Sequence, residues 1–136
     1  MKTFFRFLLV VFFCGMGIVH FAATDLFVAT MPPYLPYPRE LVWISGVFEI
    51  LGGVGVLIPS VRRLAGYGLV ALLVVVFPVN LHMALHPEVI QGFSISPLVL
   101  WLRLPFQAVF IAWVLWCTRE DVKPVLHMEL RSGAWA

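Results

Sequence analysis

This sequence predicts an all-α fold: a bundle of four antiparallel transmembrane helices with both termini in the cytoplasm. Three observations predict it. Hydrophobic residues make up 62% of the chain and charged residues only 12%, against about a quarter charged in an ordinary soluble domain, so there is too little polar surface to coat a globule in water. The apolar residues fall into four runs, 7–23, 41–58, 64–85 and 98–117, each close to the roughly 20 residues a helix needs to cross a bilayer. The cations are lopsided: with the N-terminus inside, Lys2, Arg6, Arg62, Arg63, Arg119, Lys123 and Arg131 share one side and Arg39 and Arg103 the other, which is the positive-inside pattern. A β-barrel would show short, strictly alternating segments, and the sequence has none. Helix-end cations account for the net charge of +2. No basic patch with interleaved aromatics points to nucleic acid.

The first helix, over about 4–23, comes from MKTFFRFLLVVFFCGMGIVHFAA. Its basic start and apolar middle match a secretory signal peptide, but the run outlasts the 7–15 residues of a signal-peptide core, so it is read as a retained helix. The connection TDLFVATMPPYLPYPRE carries Pro32, Pro33, Pro36 and Pro38, which predicts a stiff, extended loop lying across the outer mouth of the bundle. The second helix (41–58) meets the third (64–85) through PSVRR, a link short enough to force an antiparallel hairpin. HPEVIQGFSIS joins the third to the fourth (98–117), which Pro97 opens at a position where a missing N–H costs little. Residues 1–118 are thus one transmembrane domain, and 119–136 a short cytoplasmic tail. Cys14 falls mid-membrane and Cys117 at the inner face, too far apart for an expected disulfide.

Polar residues inside the spans carry the functional signal. Glu49 lies roughly 13 Å below the outer end of the second helix at about 1.5 Å per residue. Ser45, Gly46, Gly52 and Gly53 share its face, and small faces mark close helix packing in membranes, so Glu49 should point into the bundle. Arg103 falls roughly 9 Å from the outer end of the fourth helix, with Gln107 one turn deeper on the same face; Pro105 frees a backbone carbonyl nearby. His20 stands near the outer end of the first helix, one turn above Gly17, and Asn80, His82 and His86 stand near that of the third. Antiparallel packing would gather these groups in one layer in the outer half of the membrane. A charge inside a bilayer costs about 2.5–3.5 kcal/mol by insertion scales, so Glu49 and Arg103 are expected to pair or share a network. Such a pair could equally serve only to fix helix register, and His20 could be either an interfacial histidine or a ligand contact. Asn80 and His82 are about 200° apart on an ideal helix; Asn80 is expected inward and His82 is left either way. His82 and His86 have spacing that could suit a metal, but no carboxylate or cysteine accompanies them at metal-site spacing, and no metal is expected. The candidate ligand-binding set is His20, Glu49, Asn80, His82, Arg103 and Gln107, with no catalytic residue assigned.

The stretches MPPYLPYPRELVWISGVFEILGGVGVLIPSVRRLAGYGL, FPVNLHMALHP and LWLRLPFQ, taken together from about His20 to Trp116, resemble the DoxX family of small four-helix membrane proteins. His20, Glu49, Asn80, Arg103 and Gln107 fall on that family's recurring polar pattern. The resemblance implies a multi-pass protein of a bacterial or archaeal plasma membrane with a quinone-linked redox role. His20, Asn80, Arg103 and Gln107 would then hydrogen-bond the quinone head group, and Glu49 or His20 would move its protons. The sequence has no iron–sulfur, flavin or dinucleotide motif, so a soluble or membrane redox partner would have to supply the electrons. The alternative is a non-enzymatic binding or assembly protein whose polar layer is structural or holds a small ligand. A homo-oligomer is compatible with either reading.

Overall fold

A computed structural model of the chain describes residues 1–89 and 95–119; the expected cytoplasmic tail, beyond Arg119, lies outside the described residues. These form α1 (Lys2–Ala22), α2 (Thr24–Thr30), α3 (Pro38–Leu57), α4 (Arg62–Leu85), a 3-10 turn (Pro87–Val89) and α5 (Pro97–Thr118). The helices α1, α3, α4 and α5, of 21, 20, 24 and 22 residues, are long and apolar enough to cross a membrane; at about 1.5 Å per residue each spans about 30 Å, the thickness of the hydrocarbon core. Their outward faces are apolar: Leu64 is 73% exposed and Val75 71%. Water would make that surface a liability, whereas lipid is its natural solvent, so the chain is built as a membrane protein.

The contacts fix the topology. Gly46 lies against Gly17, and Gly53 against Cys14, so α1 and α3 are antiparallel. Gly52 meets Leu69 and Gly55 meets Ala65, so α3 and α4 are antiparallel too. The contacts of Gly66 with Thr118 and of Asn80 with Gln107 do the same for α4 and α5. Ring contacts close the bundle, Phe5 with Trp116 at 5.4 Å and Phe12 with Phe110 at 4.6 Å between centroids, setting α5 against α1.

The packed core occupies the half of the bundle nearer the termini. Leu9 and Phe13 of α1, Val56 of α3, Leu69 of α4, and Val114 and Cys117 of α5 form one buried cluster. At the same end the cations satisfy the last carbonyls of two helices, which no intrahelical N–H can reach. Arg62 Nε donates to the Val56 carbonyl at 2.8 Å, and Arg6 Nε to that of Cys117 at 2.8 Å. Both also meet the negative end of a helix dipole.

The proline-rich connection departs from expectation. Its first half is helical and not extended: α2 follows a break at Ala23 (φ −122°, ψ 37°). The Thr24 hydroxyl donates to the His20 and Phe21 carbonyls at 2.8 and 3.0 Å, tying the two helices together across the break. The stretch TDLFVAT contains no proline, so nothing bars it from helix; extension begins only at Met31 (φ −69°, ψ 140°), which precedes Pro32. Pro38 is absorbed into α3 at its first turn, where its missing N–H is no loss, so that helix begins earlier than the expected residue 41. The remaining boundaries fall within two residues of expectation, and α4 and α5 run on through Pro78 and Pro105.

The α1–α3 crossing brings backbone against backbone. A Cβ on Gly17 would lie 2.7 Å from the Gly46 carbonyl oxygen and 2.7 Å from Ile50 Cγ1, whereas one on Gly15 would meet nothing within 4 Å. Gly17→Ala should therefore destabilise the detergent-solubilised protein by about 1–3 kcal/mol, the usual cost of overpacking. Gly15→Ala should cost nothing, since alanine is the better helix former. Reversible unfolding in mixed micelles compares the two, and equal stabilities would contradict the close crossing.

Candidate functional site

The half of the bundle away from the termini is not filled. It holds a cavity of about 390 Å³ with residues of all five α-helices in its wall, a size typical of small-molecule sites. Most of the wall is apolar, including Phe12, Met16, Phe27, Val42, Leu73, Met83, Phe106 and Phe110. The polar groups in it are few: Thr30, Ser45, His20, Glu49, Asn80, Arg103 and Gln107.

His20 and Glu49 meet because the glycines let them. A Cβ on Gly46 would touch His20 Cβ at 3.0 Å, and one on Gly17 would touch Glu49 Cβ at 3.3 Å, so each helix leaves a gap opposite the other's polar residue. His20 Nδ1 lies 2.9 Å from Glu49 Oε2, with both side chains mostly buried. The same Nδ1 lies 2.9 Å from the Met16 carbonyl. Its N–H aligns with that carbonyl, so the carboxylate oxygen keeps a close electrostatic contact but no aligned donor: Glu49 Oε2 is buried without a hydrogen bond among the described residues. The imidazole is clamped on its face as well, stacked on Phe27 of α2 at 4.2 Å and 23°. Trp43 Nε1 of α3 donates to Thr24 Oγ1 at 3.1 Å, and an exposed Arg39–Asp25 pair at 2.6 Å adds a second tie. Thus α2 is held over the cavity as its cover.

The opposite wall is a closed hydrogen-bond chain. Gln107 of α5 donates its amide to the Leu73 carbonyl of α4 and accepts from Asn80 Nδ2 at 3.1 Å. That carbonyl sits beside the turn where Pro78 leaves the Val74 carbonyl without its usual partner. Arg103 lines the cavity near enough to Glu49 to act on it through space. Of the two expected arrangements, a pair or a shared network, no direct Glu49–Arg103 ion pair forms among the described residues; the two share the cavity wall, and Glu49's close contact is with His20, because the glycine crossing brings α1 within reach.

The sequence-derived set therefore divides. His20, Glu49, Asn80, Arg103 and Gln107 line one cavity, and His82 is not part of its wall. His82 instead stands over His86, with ring centroids 4.7 Å apart, and His86 Nδ1 lies 3.1 Å from Glu88 Oε1 at the exposed end of α4. The backbone N–H of Glu88 and the His86 ring hold that carboxyl below the usual carboxylate range. No group of three or more potential metal ligands is assembled among the described residues. Sequence reasoning missed Phe27, Thr24 and Trp43, which clamp the cover. The available signal was the absence of proline from TDLFVAT, with apolar Leu26 and Phe27 in a segment otherwise read as loop.

Residues 9–118 match the model of a domain of unknown function, DUF8561. The chain belongs to this family. No curated protein and no solved structure matches it. The matched span takes in the core, the glycine crossing and every polar residue of the cavity.

The Asn80–Gln107 chain gives a quantitative expectation. Removing one partner from a buried hydrogen bond leaves the other unsatisfied and costs about 1–3 kcal/mol, while replacing both with apolar groups is far milder. Asn80→Leu and Gln107→Leu should each destabilise by about that amount, and the double variant by clearly less than the sum. A double-mutant cycle on unfolding in micelles measures the coupling, and strict additivity would exclude the bond.

Proposed function

We propose that this protein sits in a bacterial or archaeal plasma membrane with both termini in the cytoplasm and binds a membrane quinone in the cavity. In this reading it is the quinone-holding subunit of a redox system whose electrons arrive from a soluble or membrane partner. The observation that carries the reading is the make-up of the cavity: an apolar wall with His20, Glu49 and Arg103 set into it. A quinone has the same division, a flat apolar ring with oxygens at its edge. The seven-to-two distribution of cations supports the orientation, which places the cavity in the outer half of the membrane. The resemblance of the polar pattern to DoxX proteins supports the ligand class.

One observation favours a second reading, a non-enzymatic binding or assembly protein. Asn80 and Gln107 satisfy each other and a backbone carbonyl, as residues kept for bundle stability would. That argument does not extend to Glu49, a carboxylate in the cavity wall beside His20 and within electrostatic reach of Arg103, since a charge inside a membrane is costly to keep for stability alone.

Mass spectrometry of small molecules extracted from the gently solubilised protein separates the two. The wild type should carry near-stoichiometric quinone. Glu49→Gln and Arg103→Met should each retain about 10- to 100-fold less, the equivalent of the roughly 1.5–3 kcal/mol of a hydrogen bond to a charged group. A folded wild type purified empty from quinone-rich membranes would sink the quinone reading and favour the structural one.

A further inference from the structure

We propose that the cavity is entered sideways from the lipid, through an opening between α1 and α5, and that its ligand carries an apolar tail which stays in that opening while the polar head lies inside. This rests on the quinone reading for the head group and adds to it the route and the tail.

Exposure along the wall locates the opening. The wall residues on α2, α3 and α4 are all buried or half-buried. Its exposed residues are Phe12 on α1 at 37%, Arg103 and Phe106 on α5, the latter at 56%, and Ile95 just before α5 at 41%. The other seams between the long helices are joined: α1 to α3 by the glycine crossing, α3 to α4 through Gly52 and Gly55, and α4 to α5 by the Asn80–Gln107 bond. Between α1 and α5 the ring contacts, Phe5 with Trp116 and Phe12 with Phe110, lie in the half nearer the termini and reach outward only as far as Phe12. The Phe12–Phe110 stack is therefore a sill. One turn beyond it, Met16 on α1 and Phe106 on α5 both line the cavity. Phe106 is also more than half exposed, so it belongs to the cavity and to the outer surface at once.

Depth decides what can use such an opening. Phe106 is nine residues past Pro97, the start of α5, so it lies roughly 13 Å below the outer end at about 1.5 Å per residue. That is well inside a hydrocarbon core about 30 Å thick. The ends of the bundle are closed, the outer by α2 clamped on His20 and Trp43, the inner by the packed core. A solute from water would have to cross acyl chains to reach the opening, whereas a molecule dissolved among them arrives by diffusion in the plane of the membrane. Phe12, Phe106 and Ile95 give an apolar tail two helix edges to lie against, with lipid on its open side. Arg103 stands in the same opening, and a cation facing lipid is costly. Head-group oxygens drawn in past it are acceptors for its guanidinium, which only donates. A prenyl tail too long for a cavity of about 390 Å³ thus has a place to go.

The test is photocrosslinking of the full-length protein in phospholipid vesicles loaded with a polyprenyl benzoquinone, with p-benzoyl-phenylalanine placed at one position at a time. Under near-ultraviolet light its ketone inserts into nearby C–H bonds, and mass spectrometry of the labelled peptide identifies what was there. In place of Phe106 or of Ile95 it should capture the prenyl tail at least about tenfold more often than in place of Val75, a preference equivalent to about 1.4 kcal/mol. Val75 is the control because it is exposed on α4 and lines no part of the cavity. Two positions in the opening are used so that a variant which fails to fold leaves the other to decide. Equal capture at all three, with quinone still retained by the protein, would overturn the side entrance and leave the quinone reading standing. Enrichment of phospholipid acyl chains in place of the prenyl tail would overturn it too, and make the gap a lipid groove. A protein that retains no quinone would remove both.

Discussion

Two glycines decide how near α1 comes to α3, and most of the molecule follows from that distance. With hydrogen at both positions, the backbone at Gly17 and Gly46 comes within side-chain contact of its opposite number, as small-residue interfaces in membranes permit. The approach does more than pack. It sets His20 over one glycine and Glu49 over the other, so that a ring nitrogen and a carboxylate on different helices come within 2.9 Å. It also fixes where α1 ends. Thr24 ties back to the His20 carbonyl, and α2 turns over the cavity with Phe27 stacked on the imidazole. A methyl group at the crossing would push apart the pair, the cover and the wall together.

The two halves of the bundle solve different problems. Near the termini, apolar side chains from all four long helices interlock, and arginines satisfy the carbonyls where α3 and α5 stop. That end is closed chemically and sterically. In the other half Pro78 and Pro105 interrupt the ladders of α4 and α5, and each interruption loosens the hydrogen bonding of one turn. Gln107 reaches across to α4 backbone beside one of those turns, so the helix pair is joined by side chains where its packing is least regular. Stability is concentrated at one end, and the open volume at the other can persist.

The sequence carried the helices because length and hydropathy are one-dimensional properties. Four apolar runs specify four helices long enough to cross a membrane without any knowledge of contacts. The inward face of Glu49 was legible for a similar reason: Ser45, Gly46, Gly52 and Gly53 lie at helical spacing around it. What was not legible were choices made between helices. Depth alone made Arg103 as good a partner for Glu49 as His20, and only the crossing at Gly17 decides for His20. His82 sits two residues from Asn80, and continuous helix through Pro78 turns it off the cavity wall. The helix in TDLFVAT was hidden by the four prolines after it, which dominate the composition of the segment but act only on their own turns and on the residue before each.

The contrast between the two polar walls is what separates a site from a brace. Asn80, Gln107 and the Leu73 carbonyl complete one another, and a low-dielectric interior rewards such closure. A bundle shaped only for stability would treat Glu49 the same way, since an unpaired acceptor there costs at least about 1–3 kcal/mol and more when charged. His20 Nδ1 instead lies 2.9 Å from both the Met16 carbonyl and the carboxylate, so the charge is held by one ring and by the through-space reach of Arg103. A carboxylate kept inside the bundle on those terms, in the wall of a cavity of molecular size, is more than a brace requires.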